Sequence, residues 1–132
     1  MTDTKMDALQ NSVYVLKNTL SKYANKLAED LTQTDQYKAL QKAIKDVEEN
    51  DESSAMFKKM DELQAKILRA QQAGQPLAAE DQQAYKDLND QVQKNDLIVN
   101  MLKSEQALYD LLNDIQKTYS KPINDLYEDL RN

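Results

Sequence analysis

The sequence predicts an all-α protein: an elongated antiparallel helical bundle, completed as a homodimer. Three observations carry that prediction. The 132 residues include one Gly and two Pro, too few tight-turn formers for a hairpin-rich barrel or a phosphate-cradling loop fold. Leu, Gln, Lys and acidic residues dominate, while aromatics make up only 6%, which is the alphabet of good helix formers. Apolar residues recur at spacings of three and four through most of the chain, the period of a helix with one buried face.

A first helix is expected over 7–31. Leu9, Val13, Leu16, Leu20, Tyr23, Leu27 and Leu31 alternate spacings of four and three and form one narrow seam. A 25-residue helix is about 38 Å long, more than a compact domain of this size requires. Its seam therefore asks for a partner helix, since exposure forfeits roughly 25 cal/mol per Å² of apolar surface. The TQTD stretch at Thr32–Asp35 supplies a break and a fresh N-cap, because a Thr or Asp oxygen accepts an orphan first-turn N–H. A second helix over 36–49 presents Tyr37, Leu40, Ile44 and Val47. Carboxylates disfavour a helix C-terminus and favour an N-terminus, so the run Glu48-Glu49-Asn50-Asp51-Glu52 places a boundary at Asn50 or Asp51.

The third helix, 52–73, carries Met56, Met60, Leu63, Ile67 and Ala70, widened by Phe57 and Leu68, and stops at Gly74 as a left-handed cap. Gly74-Gln75-Pro76-Leu77 is the clearest turn, a helical-hairpin loop. Helices over 79–95 and 97–119 follow, with Tyr85, Leu88 and Val92 on the first. Val99, Leu102, Leu108 or Tyr109, Leu112, Ile115 and Tyr119 lie on the second, with a break at Asn95-Asp96 between them. Ser120-Lys121-Pro122 closes that segment, and Pro122 begins a last helix over 122–130 bearing Leu126, Tyr127 and Leu130. No repeat or polar linker interrupts the pattern, so residues 1–132 read as a single helical domain.

The composition excludes much chemistry. With no Cys and no His, the chain has no thiol or imidazole nucleophile, no disulfide, no conventional zinc site and no Glu-x-x-His diiron unit. Carboxylates remain the one acid–base option. The crowded Glu48, Glu49, Asp51 and Glu52 are more simply a hydrated helix junction, and they match no calcium-loop pattern. Lys103-Ser104-Glu105 reads as the polar face of a helix. The net charge is −6, with −1 over residues 1–74 and −5 over 75–132; neither part offers the basic stripe that a nucleic acid or an anionic membrane demands. Direct nucleic-acid binding and membrane association are therefore not expected. The start MTDTKMDALQ lacks a signal-peptide core, and a soluble cytoplasmic protein without a cofactor is expected.

Several residues stand out as structural or interaction features. Gln71, Gln72, Gly74 and Pro76 form a helix-end turn that could serve as an exposed recognition tip. Glu105 and Gln106 lie amid apolar positions, where a buried carboxylate would need a partner. Asn95 reads as a helix cap. Tyr23, Tyr37, Tyr85 and Tyr109 read as core or dimer-interface residues.

The order and spacing of five features resemble the bacterial YheA/YmcA/YlbF family, closest to its YheA-like branch, over roughly Asn11 to Tyr127. They are the Asp51-Glu52-Ser53 junction, Met56 and Phe57 after it, the Gln71-Gln72-Ala73-Gly74 helix end, the Glu105-Gln106 pair, and Pro122-Ile123-Asn124-Asp125-Leu126-Tyr127. The resemblance implies an all-helical protein and a homodimer. Some members of that family belong to a complex that influences competence, sporulation or biofilm development and is connected with messenger-RNA processing through an endoribonuclease. Those members have cysteines associated with iron–sulfur binding; this chain has none, so the cluster does not carry over.

The function expected on these grounds is that of a noncatalytic helical dimer acting as a cytoplasmic protein-binding regulator or adaptor. The alternatives are a carboxylate-based enzyme and an accessory RNA-processing protein that contacts RNA.

Overall fold

The computed structural model describes residues 2–131, with side-chain burial from Lys5 onward. Every regular element among them is an α-helix: α1 (Thr2–Leu31), α2 (Asp35–Glu48), α3 (Asp51–Gln72), α4 (Ala79–Gln93) and α5 (Asp96–Arg131). The chain divides into two compact units, Met1–Lys38 and Ala39–Asn132.

In the first unit, α1 is one uninterrupted helix whose side chains from Lys5 to Asp30 are all exposed. Its seam residues are among the most exposed, Leu20 at 68% and Tyr23 at 69%. The helix ends in a threonine turn. The Thr32 hydroxyl donates to the Glu29 carbonyl at 2.6 Å, and the Thr34 hydroxyl donates to the Leu31 carbonyl at 2.7 Å. Thr34 Oγ1 then accepts the Tyr37 N–H at 3.2 Å and caps α2, satisfying a donor that the first turn would otherwise orphan.

The second unit is built on the antiparallel pair α3 and α4, with α5 against both. Two contacts fix the register. Lys66 of α3 meets Asp81 of α4 at 3.4 Å near the hairpin loop, and Ser53 meets Asn95 at the opposite end. The loop starts with a Schellman motif: the Gly74 N–H donates to the Gln71 carbonyl and the Gln75 N–H to the Ala70 carbonyl. Gly74 has φ +65, a conformation that costs an L-residue roughly 1–2 kcal/mol. No side chain caps α4 at Ala78, but Glu80 and Asp81 in its first turn offset the helix dipole.

The core of this unit consists of Ala43 and Val47 from α2, Leu63 from α3, Leu88 and Val92 from α4, and Ile98 and Met101 from α5. Leu40, Met56, Met60 and Leu97 pack against it. The aromatic side chains stay out. Tyr23, Tyr85 and Tyr109 are exposed and Tyr37 is half-buried, so of the two expectations for them, core or dimer interface, the core of this unit is aliphatic and excludes them.

Two features of α5 differ from the sequence reading. The face turned inward carries Ile98 and Met101, not Val99 and Leu102. Asn95 caps the helix by accepting the Ile98 N–H at 3.1 Å, and this fixes the phase at which α5 enters the core. The helix also runs without interruption from Asp96 to Arg131, with Pro122 inside it, where the pattern had suggested a separate 122–130 helix. Proline removes one N–H and crowds the preceding turn; 26 residues of helix, Asp96 to Lys121, already lead into it, and the helix continues past it to Arg131.

Candidate functional site

Among the features singled out in the sequence, the structure joins one distant pair, Ser53 of the α2–α3 junction and Asn95. Asp51 opens α3, exposed in its first turn, and Gln71 and Gln72 close the same helix about 30 Å away. Gly74 follows in the loop. Phe57 sits on α3 at the edge of exposure. Glu105 is half-buried on α5, and Gln106 is exposed, its Nε2 donating to Asp110 Oδ1 at 2.9 Å. Pro122 and Tyr127 lie in the distal, exposed part of α5. These residues mark helix ends and faces.

A polar junction does form, between residues 42 positions apart. Ser53, in the first turn of α3, is 1% exposed. Its hydroxyl donates to Asn95 Oδ1 at 3.1 Å and accepts from Asn95 Nδ2 at 2.9 Å. The Ser53 N–H is held by Asn50 Oδ1 at 2.9 Å. Two asparagine-capped helix starts are thus tied through one serine, which satisfies every polar group that the junction buries. The sequence marks Asn95 as a cap, but nothing in it signals the long-range pairing.

Beside this junction lies an open recess of about 570 Å³, lined by Glu52, Met56, Gln91, Lys94, Asp96 and Leu97 among others. It has no activated nucleophile, because the Ser53 hydroxyl is engaged on both sides by the Asn95 amide. The carboxylates of the α2–α3 junction, Glu48, Glu49, Asp51 and Glu52, are all exposed. No group of three or more acidic, His or Cys side chains among the described residues could hold a metal ion. No helix among them is long and apolar enough to cross a membrane.

What the surface does present is apolar. Leu9, Val13, Leu16, Leu20, Tyr23 and Leu27 line one face of α1. Tyr119, Ile123, Leu126 and Leu130 continue, in the distal part of α5, the same stripe that begins with buried Met101. Contiguous apolar faces of this kind are the mark of protein–protein contact.

Comparison with known proteins places the chain in context. A family model described as "Control of competence regulator ComK, YlbF/YmcA" matches residues 20–124. A UPF0342 protein of Lactobacillus acidophilus is 77% identical over 108 residues, covering 82% of this chain and 93% of that protein. A UPF0342 protein of Lactobacillus helveticus is 70% identical over 109 residues, covering 83% and 94%. Among solved structures, a protein of unknown function (DUF964) from Bacillus stearothermophilus superposes with a TM-score of 0.74 at 18% identity, over 83% of this chain and 96% of its own. That last likeness concerns the fold alone.

Proposed function

This chain belongs to the YlbF/YmcA family of competence control, and from that premise we propose that it is a noncatalytic regulator or adaptor. It acts in the cytoplasm as a homodimer of one helical domain and works by binding another protein. The observation that carries this reading is the exposed seam of α1, six apolar residues at helical spacing with no cover.

A regulator needs no pocket; it needs a face of fixed geometry, and in the second unit two asparagine caps and a Schellman turn fix the ends of α3 and the start of α5.

The test is affinity capture from cells expressing the tagged full chain at native level, followed by binding measurements with the purified candidates. The reading expects at least one saturable protein partner. Repeated failure to recover one contradicts it. Filter binding with RNA across a salt series is expected to show no saturation even at low salt, where phosphate contacts are strongest.

A further inference from the structure

The distal part of α5 leaves the core of the second unit while remaining one helix with it. Met101 is buried, Leu108, Leu112 and Ile115 are half-buried, and from Lys121 to Arg131 every side chain is exposed. The apolar stripe does not stop where burial does. Tyr119, Ile123, Leu126 and Leu130 keep the spacings of four and three, and Leu126 and Leu130 are 78% and 85% exposed. They form a strip of about three turns, about 17 Å of helix.

Two sources of negative potential meet on this strip. Residues 122–130 hold Asp125, Glu128 and Asp129 and no base. Asp125 and Asp129, four positions apart, lie on one flank of the strip by helical geometry. Lys121 pairs with Asp125 at 3.0 Å, and Arg131 is the base of the last turn. The carbonyl end of the helix adds about half a negative charge at the same place, where carboxylates are unfavourable. These acids weaken the helix that carries them, and cations laid along the strip offset both sources.

Resting on the adaptor reading above, we propose that the Tyr119–Leu130 strip docks a basic amphipathic helix of another protein. Its apolar face covers Ile123, Leu126 and Leu130, and its Lys or Arg flank runs along Asp125 and Asp129. An antiparallel approach sets the positive N-terminal end of that helix beside the negative end of α5. Apolar area holds the helix, and the charges select it against an acidic one. Pro122 leaves the backbone ladder here one hydrogen bond short, so docking also protects the amides of the strip.

The test uses the full chain and a fluorescent helix-forming peptide with Leu at spacings of three and four and Lys elsewhere; its twin carries Glu in place of Lys. Anisotropy at low salt is expected to show saturable binding of the lysine peptide, weakened by added salt, and none of the glutamate peptide. Asp125→Asn with Asp129→Asn is expected to weaken binding about tenfold, and Leu126→Ala by a similar factor. Removing two exposed carboxylates elsewhere in the unit, Asp61→Asn with Asp90→Asn, should leave it unchanged. Circular dichroism checks that all variants keep wild-type helix content, and hydrogen exchange is expected to show slowed amides over residues 118–131 when the lysine peptide is bound.

Equal binding of the two peptides, equal losses from the two pairs of Asp variants, or protection centred on another element overturns the proposal. Protection of 118–131 that rises with protein concentration in the absence of peptide shows a second copy on the strip and overturns it as well. A saturable partner captured from cells whose affinity ignores Asp125→Asn with Asp129→Asn overturns the strip and leaves the adaptor reading standing. No captured partner, with the lysine peptide held at the strip, contradicts the adaptor reading and leaves the selectivity of the strip intact.

Discussion

Asn95 holds more structure than any other single polar residue in the second unit. It caps α5 through the Ile98 N–H and engages the buried Ser53 hydroxyl with both ends of its amide. Replacing it by alanine removes a cap, about 1 kcal/mol, and leaves a buried hydroxyl without a partner, about 1–3 kcal/mol. Asn95→Ala is therefore expected to lower stability by about 2–4 kcal/mol, read as a shift of the urea midpoint at unchanged slope. Adding Ser53→Ala should recover part of the loss, because the orphaned hydroxyl goes with it. Additive losses would show that the pair does not act as a unit. The sequence exposes half of this arrangement: an Asn before a helical stripe is recognisable as a cap, whereas its contact with a serine 42 positions earlier depends on how α3 and α5 meet. Asn50 is in the same position, legible only as part of a junction.

At the scale of elements, the helices follow from period and punctuation, and their buried faces follow from caps. The seams of α2, α3 and α4 bury residues the periodicity names: Val47, Leu63, Leu88 and Val92. In α5 the segment Leu97-Ile98-Val99 is apolar throughout, so period alone leaves the phase open. Ile98, at 0% exposure, follows the Asn95 cap by three residues and lies within the core of the unit. Ile98→Ala should cost about 2–5 kcal/mol, while Leu102→Ala, on the exposed face, should stay within about 1 kcal/mol; comparable losses would contradict the observed phase. Pro122 tests a second element-level point. It lacks the N–H that would reach back one turn, so local pairing is weakened there without ending the helix. Pro122→Ala should slow amide exchange over residues 118–130, reflecting up to about 3 kcal/mol of local helix stability. Unchanged exchange would mean that the distal helix is held by something other than its own ladder. Proline followed by renewed helical spacing is ambiguous in sequence, because N1 of a new helix and an interior position of a long one present the same pattern.

For the whole molecule, the informative quantity is the apolar surface left without cover. Among the described residues the buried hydrophobic core is a set of seven, all in the second unit, while the stripes of α1 and distal α5 stay exposed. A regulator is built economically this way, since the faces that complete the fold are also faces that select a partner. The absence of Cys and His was legible from composition alone and removes common catalytic and cluster-binding groups. The most direct measurement is sedimentation equilibrium of the wild-type chain and of Leu16→Asp over a range of concentrations, with helix content followed in parallel. The account predicts a wild-type mass of twice the 15.2 kDa chain and a helical Leu16→Asp variant that sediments as a monomer, because a carboxylate in the seam would be buried unpaired on association. A strictly monomeric wild type, or a Leu16→Asp dimer as tight as wild type, would contradict it.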